Sequence, residues 1–385
     1  MSRRQAKFPA GTFVRLRFLC VSVGGLAMAA ATPADAQIVQ SQKQAFRPVV
    51  VAAGLEHPWA LAFLPDGRML VTERPGRLRV IAGGRVQAPV AGVPQVVARG
   101  QGGLLDVALH PDYGHNGWLY LSYAAAGPRG AHTAVLRARL DGDRLVDQRV
   151  IFAGNNTASS SHHFGSRLAF DDDGKLYVTV GERGDSDKAQ ELDSHNGTTV
   201  RLNDDGSVPG DNPFVDTAGA RPEIYSYGHR NPQGMARHPG TGAIWLHEHG
   251  PKGGDEINIV RPGVNYGWPV ITYGRAYSGF SIGEGTRKRG MAQPLWYWVP
   301  SIAPSGMAFY TGDRFPGWRG SLFVGALKDQ LLSRLDVAGG KIVAEERILT
   351  GVIGRIRDVR QGPDGLIYLL TDNGDDALYR LEPAG

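Results

Sequence analysis

The chain has 385 residues with 42 lysines and arginines against 37 acids, a formal charge of +5 that would suit a phosphate-bearing partner. Five of those cations and one of the acids fall in the first 36 residues, and the remainder balances 37 bases against 36 acids, a net of +1. No basic stripe with interleaved aromatics exists, so nucleic acid is not indicated, and a single cysteine rules out a disulfide framework.

Residues 1–36 run from a basic segment, MSRRQAKFPAGTFVRLRF, through a short apolar one, LCVSVGGLAMAAA, to TPADA. This is the layout of a cleavable secretory signal, with a small-residue site at Ala34-Asp35-Ala36. The apolar run is too short to span a bilayer comfortably. Arg3-Arg4 hints at the twin-arginine route, but its flanks fit the general secretory route better. Cys20 lies in the apolar run and lacks the small residue that precedes a lipidated cysteine. The expected mature protein, residues 37–385, is periplasmic and has neither thiol chemistry nor a cysteine metal site. No later stretch is long and apolar enough to be a membrane span. There is also no C-x-x-C-H, so any cytochrome partner must be a separate protein.

Six hairpins follow in chain order. They are WALAFLPDGRMLVTE (59–73), LLDVALHPDYGHNGWLYLSY (104–123), SRLAFDDDGKLYVTVGE (166–182), QGMARHPGTGAIWLHE (233–248), SGMAFYTGDRFPGWRGSLFVGAL (305–327) and IRDVRQGPDGLIYLLTD (356–372). Each places a polar turn rich in Asp, Pro and Gly between two short apolar strands. Length alone would suggest two domains, but a repeat every 45–75 residues leaves room for a four-stranded blade plus an insertion. Helical periodicity is nearly absent, and 53 glycines with 24 prolines suit a turn-rich all-β chain. The expectation is a single six-bladed β-propeller, preferred over a large β-sandwich because radial closure leaves no long free edge. FRPVVVAAG (46–54) should complete the last blade beside ALYRLEP (377–383).

Polar clusters flank the predicted inner strands, where loops at one end of a propeller channel converge. They are RGQGGLLD (99–106), SHHFGSRL (161–168), YGHRNPQG (227–234), HEHGPKGGDEIN (247–258), NYGWP (265–269), GALKDQ (325–330) and GRIRD (354–358). Singly, each has a plain reading: a satisfied histidine, a solvated arginine pair, a polar turn. Together they occupy equivalent edges of successive repeats.

These motifs, with AQELDSHNGTTVRLNDDGSVPGDNPF (189–214), resemble the soluble aldose sugar dehydrogenases that depend on pyrroloquinoline quinone (PQQ), in the glucose/sorbosone dehydrogenase family. The resemblance runs from about Leu55 to Leu381 and itself implies a six-bladed propeller. It also implies oxidation of aldoses at C1 to lactones, with electrons passed to an external quinone or cytochrome. PQQ carries three carboxylates and an ortho-quinone, so it calls for cations and donors. The resemblance assigns Lys328, Arg355 and Arg357 to the acids, where arginine forks suit planar carboxylates. Alternation in R-I-R puts both guanidinium groups on one strand face. Gln101 and Asn231 would hydrogen-bond the quinone, Tyr277 would line the pocket, and Arg230 would stabilise charge developing on the quinone oxygen. Calcium, which favours several oxygens, would sit on the Gly250 and Pro251 carbonyls with Asp255 nearby. Glu256 and Tyr266 would hold a second, structural calcium. His163 matches the general base, a suitable role for an imidazole. At His162 the glucose-specific relatives carry an acid that helps to orient the base, so Glu182 is the candidate acidic partner and His162 a rim residue. A calcium-dependent propeller lactonase or esterase, needing carboxylate and amide ligands around an axial metal, and a non-catalytic binding propeller are the rival readings. The sequence leaves open whether the protein is a monomer or a homodimer.

Overall fold

The computed structural model describes residues 37–384, and the expected signal segment lies outside the described residues. Each predicted hairpin supplies the first two strands of a separate antiparallel sheet. The inner strands are Pro58–Phe63, Leu104–Leu109, Gly165–Phe170, Pro232–Arg237, Pro304–Phe309 and Ile356–Gln361, which define blades 1 to 6 in order. Each lies against the inner strand of the next blade, and that of blade 6 lies against blade 1. The fold is a six-bladed propeller. Its last blade is completed from the other end of the chain by Ala45–Leu55, which pairs with Asp376–Pro383 from Phe46↔Pro383 to Leu55↔Asp376.

The inner strands share one design. Their first four residues are buried and the fifth is half-buried, because neighbouring blades cover both faces. Each also carries a register shift near its start, such as Pro58/Ala60, Gly165/Leu168 and Ile356/Asp358. Bulges of this kind re-aim side chains at sheet rims, and here they stand at the end of the channel where the polar clusters gather. The cores lie between blades, as where Leu61 and Val71 of blade 1 pack with Val359 and Leu369 of blade 6.

Four charged groups close the middle of the channel. Arg167 reaches Asp106 and Asp358, each at 3.1 Å. Arg360 reaches the same two acids, each at 2.9 Å. Opposite charges are matched two to two, which is the condition under which buried ions are tolerated. Below them, five inner strands place an alanine after the central apolar residue (Ala62, Ala108, Ala169, Ala236, Ala308), and a vestibule of about 480 Å³ opens at the far end.

Candidate active site

At the opposite end lies a cavity of about 440 Å³, whose walls include Gln101, His163, Arg230, Asn231, Gly250, Pro251, Tyr277 and Lys328. Residues from five of the predicted clusters thus meet in one place. No aspartate or glutamate lines this cavity, whereas Arg230, Lys252 and Lys328 do. Such a wall selects for anions.

His163 sits just before the inner strand of blade 3 in a left-handed conformation, φ 58°. That backbone is uncommon for a side chain larger than glycine and is stored at sites that need it. Three contacts hold it. The backbone N–H of His163 donates to Gln101 Oε1 at 2.8 Å. Gly181 leaves room behind it, since a Cβ there would stand 2.1 Å from the His163 carbonyl. Arg183 stacks 3.4 Å over Phe164 and donates to the carbonyls of Ser160 and His162, pinning the loop.

The His163 ring is 2.7 Å from Glu182 through Nδ1 and Oε1. Burial, opposed by Glu182 but aided by Arg230, pushes the imidazole pKa down to about 4. The hydrogen bond from His163 holds the Glu182 carboxyl below its usual range despite burial. The pair is therefore an ionised glutamate with a neutral imidazole. Nδ1 must carry the proton it donates, and Nε2 is left with a lone pair. His162 is exposed, bonds Ser160 Oγ at 3.1 Å and meets His163 edge-on, as a rim residue should.

The two amides are arranged alike. Asn231 Oδ1 accepts from the Gly165 N–H at 3.1 Å, as Gln101 Oε1 does from His163. Both carbonyl oxygens are occupied, and neither NH₂ group has a partner among the described residues, so both remain as donors. Arg230 Nη1 donates to the carbonyls of His249 (3.1 Å) and Gly250 (3.0 Å).

The predicted cation set divides. Lys328 lines the cavity and donates to the Ser301 carbonyl at 2.9 Å. Arg355 and Arg357 are absent from the lining and converge instead on Asp372. Arg355 Nε donates to its carbonyl at 3.0 Å, and Arg357 Nη2 to its carboxylate at 2.8 Å. Arg357 is buried and its Nε has no partner.

The residues suggested for calcium also separate. Gly250 and Pro251 line the main cavity. Glu256 and Tyr266 line a neighbouring space of about 10 Å³ together with Glu248, enough for one water or ion. Burial and the adjacent Glu248 carboxylate push the Glu256 carboxyl well above its usual range. The Tyr266 hydroxyl already donates to the Ile259 carbonyl at 2.5 Å, so its main-chain carbonyl is the free oxygen. Asp255 ligates nothing. It accepts from the Gly250 N–H (2.9 Å), the Ser301 hydroxyl (2.9 Å) and the N–H groups of Ile302 (2.8 Å) and Ala303 (3.2 Å).

Two features escape a reading of the sequence. His249 lines both cavities, and its Nε2 is enclosed without a partner. Ser226, His229 and Glu248 form a hydroxyl–imidazole–carboxylate chain with links of 3.0 and 2.8 Å. It resembles a hydrolytic triad, but Ser226 and His229 are fully buried. Glu248 also accepts from the Arg230 backbone at 2.6 Å, so the chain braces the site.

The family model for glucose/sorbosone dehydrogenases matches residues 55–380. The chain belongs to this family of oxidoreductases. The aldose sugar dehydrogenase YliI of Escherichia coli is 51% identical over 336 residues, covering 86% of this chain and 91% of the relative. Quinoprotein glucose dehydrogenase B of Acinetobacter calcoaceticus is 30% identical over 420 residues, covering 87% of each chain. Among solved structures, the apo soluble aldose sugar dehydrogenase of E. coli superposes with a TM-score of 0.86 at 49% identity, covering 88% of this chain and 99% of its own. The PQQ-bound aldose sugar dehydrogenase of Streptomyces coelicolor gives 0.72 at 31% identity, covering 88% and 98%.

Proposed function

We propose that the protein is a periplasmic PQQ- and calcium-dependent dehydrogenase that oxidises aldoses at C1 to lactones and passes electrons to a separate quinone or cytochrome. The observation that carries this reading is the acid-free, cation-walled cavity with a neutral imidazole at its edge. A tricarboxylate quinone fits that donor set. Lys328 suits one of its acids, with Arg355 and Arg357 behind it, and the free NH₂ groups of Gln101 and Asn231 suit the quinone oxygens. Calcium suits the carbonyls of Gly250 and Pro251. Bound there, PQQ supplies a two-electron hydride acceptor made more electrophilic by the metal.

The chain's own residues do the rest. His163 Nε2 removes the proton of the anomeric hydroxyl, and Glu182 stabilises the imidazolium that results. The Arg230 guanidinium stands where negative charge develops on the acceptor side. Glu256 and the Tyr266 carbonyl hold a second, structural calcium.

The lactonase alternative needs free acids around an axial metal, but Asp106 and Asp358 are both paired with arginines. Among the described residues, the one cluster of three metal-type ligands is His57, Asp372 and Asp376. Asp372 is already taken by Arg357, so this cluster does not make a metal centre.

The deciding experiment titrates PQQ with calcium into the purified protein and follows absorbance and dye-linked aldose oxidation. Arg357→Ala should weaken PQQ binding by about 2–5 kcal/mol, the cost of losing one partner of a buried charge pair. Activity with NAD but not PQQ would overturn the assignment.

A further inference from the structure

A second cavity of about 440 Å³ lies beside the first, bordered by Tyr273, Arg287, Gln293, Trp296, Tyr297 and Val299. The wall between the two is one residue thick. Gly253 lines the first and Val299 the second, and a Cβ on Gly253 would touch Val299 Cγ1 at 3.4 Å. Pro300 and Ser301, next along the chain, line the first cavity again. From Tyr297 to Ser301 the backbone spans at most about 14 Å, the reach of a short oligosaccharide.

The chemistry of this second cleft is specific. Tyr273 and Tyr297 stack at 3.9 Å with planes 14° apart, and the Tyr297 ring is 46% exposed. Tyr273 donates its hydroxyl to Gln293 Oε1 at 2.8 Å, which fixes that amide at the rim. Arg287 makes no ion pair among the described residues, and the Trp296 indole N–H has no acceptor. Tyr277, Phe280 and Tyr297 are all the exposed aromatic residues among those described. Tyr277 lines the first cavity, Tyr297 the second, and Phe280 is on the same excursion as Tyr277. Exposed apolar side chains concentrated in one place mark a binding surface. A flat aromatic face beside amide and guanidinium donors matches a pyranose, with its apolar C–H face and hydroxyl rim.

We propose that this cleft is a subsite for the further sugar units of an oligosaccharide whose reducing-end aldose occupies the catalytic cavity. The proposal rests on the aldose dehydrogenase reading and extends its substrate class from monosaccharides to short saccharide chains. Val299 and the Gly253 backbone form the saddle over which the chain passes. Tyr297 carries the second ring on its outer face, and Arg287 and Gln293 face its hydroxyls. The alternative occupant, an electron-accepting protein, fits less well because the aromatics line a cleft rather than crown a flat face.

The test compares glucose, maltose and maltotriose as substrates of the PQQ- and calcium-loaded protein, alongside calorimetric titration of maltotriose. The wild type should show KM falling with chain length. Tyr297→Ala and Arg287→Ala should leave glucose oxidation unchanged and lower kcat/KM for maltotriose by about tenfold, equivalent to ~1.4 kcal/mol, through KM. An unchanged maltotriose profile in both variants overturns the subsite. So does an equal loss for all three sugars, which would assign the cleft to the electron acceptor or to the fold. Should the loaded wild type oxidise no aldose, the dehydrogenase reading fails separately. Calorimetry then still decides: maltotriose binding abolished by Tyr297→Ala upholds the cleft, and its absence in the wild type overturns it.

Discussion

His163 is made a base by what surrounds it. Burial and Arg230 keep the ring neutral, Glu182 fixes its tautomer, and Gln101 and Gly181 set its backbone. His163→Ala removes the proton acceptor but none of the cations, so turnover should fall by roughly 10²–10⁴-fold while PQQ affinity barely changes. His162→Ala should do far less, because that ring bonds only Ser160 at the rim. The pH dependence follows from the downward shift. Only the neutral imidazole can accept a proton, and its pKa lies near 4 rather than 6.5, so kcat/KM should stay flat through pH 6 and fall only towards pH 4. That acidic limb should vanish in His163→Ala. A limb centred near 6.5 in the wild type would mean that the base is an exposed histidine. Glu182→Gln should slow turnover as well, since an amide cannot stabilise the imidazolium as a carboxylate does.

The 247–266 segment acts as one element because acids at its two ends serve different purposes. Asp255 has every acceptor position filled by the cation loop and by residues 301–303, and residues 301–303 in turn carry Lys328. An asparagine offers one acceptor and a donor that faces two N–H groups, so Asp255→Asn should cost about 1–3 kcal/mol, read from the urea midpoint. Glu256 should behave in the opposite sense depending on the metal. With calcium bound, Glu256→Gln loses a ligand and should lower the melting temperature. In excess chelator the same change relieves repulsion from Glu248 and should raise it. A melting temperature that ignores calcium in both proteins would remove the structural ion. The sequence disclosed this segment only in part. Alternating carbonyl-rich glycines and acids pointed to oxygen ligands, but nothing local tells that Asp255 is a brace. Its partners at 301–303 lie on another blade, and the free Nε2 of His249 is defined only by the surrounding fold.

Over the whole molecule, what was legible follows the range of each interaction. Hairpins were readable because their turns are local, and the closing strand was readable because residues 46–54 found no hairpin partner of their own. The catalytic cluster was readable through family motifs. The channel-closing quartet was not, since Asp106 and Arg360 are 254 residues apart and an arginine on a β-strand gives no sign of whether it faces solvent or an axis. The same long range makes closure the point on which the ring depends. Ala45–Leu55 supplies the last blade from the far end of the chain, and its Phe46 is fully buried, edge-on to Trp318 of blade 5 at 5.2 Å. One side chain near the start of the described chain therefore joins the last two blades. Phe46→Ala should destabilise the protein by about 3–5 kcal/mol, as for a buried aromatic in any core, although it is far from the active site. Because the ring is a closed set of neighbours, the loss should appear as a lower midpoint of one cooperative urea transition. Early loss of a single blade, or a midpoint equal to the wild type, would show that the terminal strand decorates the propeller instead of closing it.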